Sequence, residues 1–149
     1  MLNQEIRDYI NRSVLCWLAT SSNDNFPNVS PKEAFLAYDD DSIIIANIAS
    51  PQSVRNIREN EKVCVSFIDV FVQKGYQLKG SAQIITKEHA GFDAMKNTLE
   101  TLTKGKFPFS SITRVQVEKA KKIIAPSYIL FPETTEEQQI AESKRSYQV

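Results

Sequence analysis

The tetrapeptide Ser50-Pro-Gln-Ser53 is the stretch of the chain best suited to hold an anion. Pro51 fits the first position of a helix, and Ser50 before it fits the cap. A helix start carries unpaired backbone N–H groups and the positive end of the peptide dipole. The hydroxyls of Ser50 and Ser53 and the amide of Gln52 add donors, so a phosphate can be cradled there without net positive charge. Ordinary capping explains the same residues, and on this stretch alone capping is the simpler reading. A second stretch, Asn25-Phe-Pro-Asn-Val-Ser-Pro-Lys-Glu-Ala-Phe35, begins like a turn and ends like a strand. Pro31 removes a ladder donor, which places the strand at a sheet edge or beside something other than a strand. A flat ligand fits such a gap. An edge guarded against aggregation by proline and charge fits it equally well. Lys32 and Glu33 point to opposite faces of a regular strand. A third stretch, Gly75-Tyr-Gln-Leu-Lys-Gly-Ser-Ala82, alternates polar and apolar residues, as the lining of a groove or a half-exposed strand would.

Other chemistries find little support. There is no Ser/His/Asp set, no GxSxG and no glycine-rich phosphate loop, with only 4 glycines in the chain. The single histidine, His89, lies in the polar segment Thr86-Lys-Glu-His-Ala90 and reads as an exposed helix-start residue. Without a CxxC or a second histidine, a zinc site lacks ligands. Any reaction therefore points to a bound cofactor as its source.

The elements that must position these stretches follow from periodicity. Asn3 to Arg12 reads as a helix, with Leu2, Ile6, Tyr9 and Ile10 on one face. Val14 to Thr20 is a buried strand, and Ser21-Ser-Asn-Asp-Asn25 is a turn. Asn28 to Tyr38 is the second strand. Ser42 to Ile48 is the third, and its consecutive Ile43, Ile44 and Ile45 suit a strand covered on both faces. Ser50 opens a helix that ends at Asn60, with Val54 and Ile57 inward. Lys62 to Asp69 and Tyr76 to Thr86 are the fourth and fifth strands, Gly80 marking a bulge or close approach. Glu88 to Thr103 is an amphipathic helix with Phe92, Met95, Leu99 and Leu102 on one side. Thr113 to Ile124 is the last strand, and the polar segment 133–149 is a surface helix with a frayed end. This order predicts one domain over 1–149, with its core at about 6–128. Its fold class is mainly β with flanking helices, a small antiparallel barrel; an α/β sandwich with an open sheet is the competitor.

Composition sets limits on partners. The 149 residues carry 18 basic and 18 acidic side chains, which gives no electrostatic footprint for nucleic acid or an anionic membrane. Apolar residues make up 42%, yet no run is long enough to span a bilayer. Cys16 and Cys64 each sit in an apolar run and read as reduced thiols of a cytoplasmic protein, a disulfide requiring that their strands be neighbours.

The order of the pieces then carries a resemblance. Leu18-Ala-Thr20, Pro27-Asn-Val-Ser-Pro31, a hydrophobic strand to Asn47, Ser50 opening a helix that ends near Asn60-Glu-Lys-Val63, and Leu78-Lys-Gly-Ser-Ala82 together resemble the pyridoxamine 5′-phosphate oxidase-like family of FMN-binding split barrels. The resemblance runs from about Ile6 to Thr86 and more loosely through Pro126-Ser-Tyr128. It implies a homodimer with FMN in grooves between the subunits, acting on a small-molecule substrate. It places the strand Val29, Ser30, Pro31, Lys32, Glu33 along the flavin ring and Ala46, Asn47, Ile48 at the ring or ribityl chain. It places Ser50, Gln52 and Ser53 at the phosphate, with Gln77 reaching in from the partner chain. True pyridoxamine phosphate oxidases follow the serine with Arg-Lys, where this chain has Pro51-Gln52. The C-terminal Trp and Arg-x-His signature is also missing, Trp17 being the only tryptophan. The resemblance thus implies a general member of the family rather than a vitamin B6 oxidase. Lys32, Arg55, or Lys74 or Lys79 of a partner chain are the candidates for the missing charge. Two functional classes stay open: an FMN-dependent oxidoreductase, and a module that carries or senses flavin, deazaflavin or haem without turnover. An empty structural barrel is the third.

Overall fold

The computed structural model describes residues Met1–Val149. Seven strands form one antiparallel sheet: β1 (Cys16–Ser21), β2 (Pro27–Lys32), β3 (Phe35–Ala37), β4 (Ser42–Ala46), β5 (Lys62–Asp69), β6 (Lys74–Ile85) and β7 (Ile112–Ile124). Their spatial order is β2-β1-β5-β6-β7-β4-β3. The two edge strands, β2 and β3, are therefore consecutive in sequence, joined only by Glu33 and Ala34. A flat sheet of this order would hold its edges roughly 29 Å apart, at about 4.8 Å per strand. The link from Lys32 to Phe35 spans at most about 11 Å. The sheet must curl until its edges nearly meet, and the result is a split barrel, as expected, rather than an open sandwich.

This closure corrects one expectation. Asn28 to Tyr38 is two strands, not one, because β2 pairs with β1 and β3 pairs with β4 at the opposite edge. Pro31 lies opposite Trp17 in the outermost ladder, where a missing donor faces no further strand. The strand count rises from the expected five or six to seven for the same reason.

Five helices flank the sheet: α1 (Gln4–Arg12), α2 (Pro51–Glu59), α3 (Phe92–Thr103), α4 (Pro126–Leu130) and α5 (Glu136–Tyr147). Asn3 caps α1, its side chain accepting from the Ile6 N–H at 2.9 Å. α3 starts at Phe92, later than expected, because His89 Nδ1 accepts from the Gly91 N–H and closes a turn there. His89 itself is exposed. The terminal segment is tied down rather than frayed. Thr135 and Gln138 form a capping box, and Ser143 Oγ, buried, donates to the Phe71 carbonyl at 2.7 Å. The short α4, absent from the sequence reading, is held by Tyr128 Oη donating to the Val72 carbonyl.

Two cores result. The barrel interior packs Ile6, Leu18, Ile43, Ile45, Val65, Phe67 and Leu78. A second core under α3 packs Ile44, Ile85, Met95, Leu99 and Ile112. The three consecutive isoleucines serve both, which is why β4 has no polar face. β1 and β5 are neighbours, but Cys16 lies opposite Phe67 and Cys64 opposite Ala19, so the two thiols face opposite sides of the sheet. No disulfide joins them. Burial pushes the Cys16 thiol up to about 12. No helix is long and apolar enough to cross a membrane.

Candidate functional site

The β2–β3 crossing creates a pocket of about 550 Å³ at the seam of the barrel. Pro31, Lys32, Glu33 and Ala34 form one side, and Ala46, Ile48 and Ala49 at the end of β4 form another. Val14 and Leu15, before β1, and Leu102, Thr103 and Phe107, at the end of α3, complete it. The chain reverses from edge to edge here, so no strand can fill the gap. The seam stays open by construction.

Two polar groups stand out in this apolar lining. Lys32 is only 7% exposed, and burial holds its ammonium below the usual lysine range, opposed only by the Cys16 thiol. Thr103 is equally buried, and its hydroxyl makes no hydrogen bond. Buried polar groups are nearly always paired, and each exception calls for a reason. A ligand with an acceptor or anionic group supplies one for both. Thr103 and its neighbours were missed in the sequence. Leu99 and Thr103 are four residues apart on one helix face, so a polar residue closing an apolar stripe was the available signal. Leu102 was expected inside and instead stands 45% exposed at the pocket.

The remaining sequence-identified residues divide. Pro31, Lys32, Ala46 and Ile48 meet at the pocket. Asn47 lies outside the pocket lining. Its amide donates to Ser111 Oγ at 3.2 Å and accepts from Thr113 Oγ1 at 2.9 Å, which pins the end of β4 to β7. Val29 stands exposed on the outer face of the sheet, and Ser30 is partly buried on the other side. Ser53 lies on the buried face of α2, 1% exposed, accepting from Asn28 Nδ2 at 3.5 Å. Gln52 is engaged by Asn56 and by Arg55 Nη2. Gln77 pairs with Ser66 on β5, three strands from β2, or roughly 14 Å across the sheet.

Ser50 corrects an expectation. It occupies the cap position of α2, yet its side chain makes no capping hydrogen bond. Its Oγ is buried and has no partner at all. A hydroxyl beside a helix start, with its proton uncommitted, suits an anion better than it suits a cap. With the free N–H groups of the first turn, it fits one end of a phosphate.

Comparison with known proteins agrees with this fold. The family model described as pyridoxamine 5′-phosphate oxidase matches residues 2–124, and the chain belongs to that family. Among solved structures, HupZ of Group A Streptococcus is similar at 29% identity and a TM-score of 0.71, over 80% of this chain and 92% of that one. An FMN-binding protein from Syntrophomonas wolfei subsp. wolfei shares the fold at 20% identity and a TM-score of 0.69, over 81% of this chain and 85% of its own. An F420 reductase shares it at 18% identity and a TM-score of 0.59, over 80% of this chain and 98% of its own. No curated protein matches significantly.

Proposed function

We propose that the protein is a homodimer that binds FMN and acts as an oxidoreductase on a small molecule. The observation that carries this reading is the seam pocket itself. It gathers Pro31, Ala46 and Ile48 with the cation of Lys32 and the unpaired hydroxyl of Thr103, while Ser50 holds an unpaired hydroxyl at the α2 start. FMN supplies the exchange of a hydride equivalent with substrate. The chain has to bind, orient and keep out water, tasks that need no nucleophile or acid–base pair. In this reading Pro31 leaves room for a flat ring beside β2, Lys32 faces an electron-rich or anionic group, and Asn47 fixes the end of β4. The apolar wall of Leu15, Ile48, Leu102 and Phe107 excludes water. The distance from β2 to Gln77 supports two chains around each site, since one chain cannot bring both to the same ring.

The helix start gives a direct test of the phosphate position. Ser50→Ala is expected to weaken FMN binding about fivefold, the loss of roughly one neutral hydrogen bond. Stability should stay within about 0.5 kcal/mol, because no capping bond is lost. Unchanged FMN affinity in this variant would remove Ser50 from the site.

A second reading has its own support. Pro51 and Gln52 stand where oxidases of this family carry a charge pair, which suits a module that carries or senses flavin or haem without turnover. The two separate on one experiment: mix the FMN-loaded protein anaerobically with a nicotinamide donor and follow the visible flavin band. Bleaching, and recovery on admitting air, supports the oxidoreductase. A band that neither bleaches nor recovers supports the carrier.

A further inference from the structure

We propose that the positive charge that faces the FMN phosphate is supplied in trans, by Lys79 and Lys119 of the partner subunit. This rests on the dimeric flavin reading above and names the residues that complete it.

The first turn of α2 carries no cation of its own. Arg55 donates to Gln52 Oε1 at 2.6 Å and shares its groove with Asp24 and Glu59, so that groove is net acidic. Neutral donors alone hold a doubly charged phosphate weakly compared with ammonium or guanidinium groups.

The outer face of the sheet has the charge that α2 lacks. Lys79 on β6 lies directly opposite Lys119 on β7. Both are exposed, and neither belongs to an ion pair. The adjacent carboxylate, Glu118, is already held by Lys62 at 3.1 Å and by Ser81 Oγ at 2.8 Å. Like charges directly across a ladder destabilise a sheet. Here the register is also forced by a bulge between Lys79 and Gly80, which leaves Glu118 as the extra residue. Lys121 lies opposite Gln77 and adds a third unpaired ammonium. Leu78 faces the barrel core, so Gln77 and Lys79 share the outer face, about 7 Å apart along the strand.

These lysines cannot serve their own chain's helix start. α2 packs Ile57 into the barrel core, whereas Lys79 and Lys119 stand on the opposite face of the sheet. Only a second copy can bring them to Ser50. Gln77 of the partner subunit at the ring and Lys79 of the partner subunit at the phosphate then follow from one docking.

The test compares FMN with riboflavin, which has the ring and no phosphate. For the parent, FMN should bind more tightly than riboflavin, and its advantage should shrink with salt. The double variant Lys79→Gln/Lys119→Gln should lose at least about tenfold in FMN affinity, with riboflavin affinity unchanged and a flatter salt dependence. Retained riboflavin binding shows that the variant is folded, and Lys79→Arg/Lys119→Arg should restore the FMN preference. An unchanged FMN-to-riboflavin ratio in the Gln variant overturns the proposal while leaving the flavin reading intact. So does a preference that disappears in Arg55→Gln instead. A parent that binds neither flavin overturns the flavin reading, and this inference with it.

Discussion

Lys32→Met is expected to make the free protein more stable at neutral pH, and to remove a rise in stability that the parent shows at alkaline pH. Lys32 is only 7% exposed and forms no ion pair, although Glu33 lines the same pocket. Burial of the side chain disfavours its charged form, and removing the ammonium should recover about 1 kcal/mol. The sign follows from the lowered pKa. Below the folded-state pKa the native protein must hold the charge, and the full cost is present. As pH rises through that value, the native state sheds the proton while the unfolded chain still binds it. Stability therefore climbs until the ordinary lysine range, near about 10.4, where both states are neutral. Methionine has similar length and no charge, so its stability should stay flat over that window. Urea midpoints of the two proteins at neutral and alkaline pH measure this. A variant less stable than the parent at neutral pH would mean that Lys32 has a native partner. The functional counterpart runs the other way: ligand should stabilise the parent more than the variant, because the ligand supplies the counter-group the protein withholds.

Gly80→Ala is expected to cost on the order of 3 kcal/mol, lowering the melting temperature by roughly 10 °C. A Cβ at this position would sit 1.9 Å from the Gln116 carbonyl oxygen and 2.8 Å from its carbon. Both are backbone atoms of a central ladder, so no side chain can move aside. β7 would have to shift away at the bulge, where Lys79 and Lys119 are set opposite each other. The variant should therefore lose stability and FMN preference together, whereas Ser50→Ala loses only affinity. A melting point within about 2 °C of the parent would show that the bulge relaxes freely and that its geometry is not what fixes the lysine pair.

Much of this fold could be read from the sequence, and the largest miss has one cause. Ile43, Ile44 and Ile45 correctly signalled a strand covered on both faces, because consecutive β-branched residues have no other comfortable setting. Gly80 correctly signalled a bulge and a close approach. Pro31 correctly signalled an edge. What local pattern could not give was that β2 and β3 are opposite edges of one sheet: strand breaks that change pairing partners carry no periodicity of their own. The same limit hid the pocket. Lys32 was visible as a charge in a strand, but Thr103 and Phe107 join it only through closure of the barrel. The capping role read for Ser50 failed for another reason. Serine before Pro at a helix start is read as a cap by statistics, and only the direction of its hydroxyl separates a cap from an unfilled donor.

The most direct test of the central reading is an equilibrium titration of the purified, flavin-stripped protein with FMN, followed by flavin fluorescence and by the mass of the complex in solution. Saturable uptake of one FMN per chain by a dimer is the expected result. A protein that leaves FMN fluorescence unchanged, or that takes up flavin as a monomer, contradicts a flavin site shared between two split barrels.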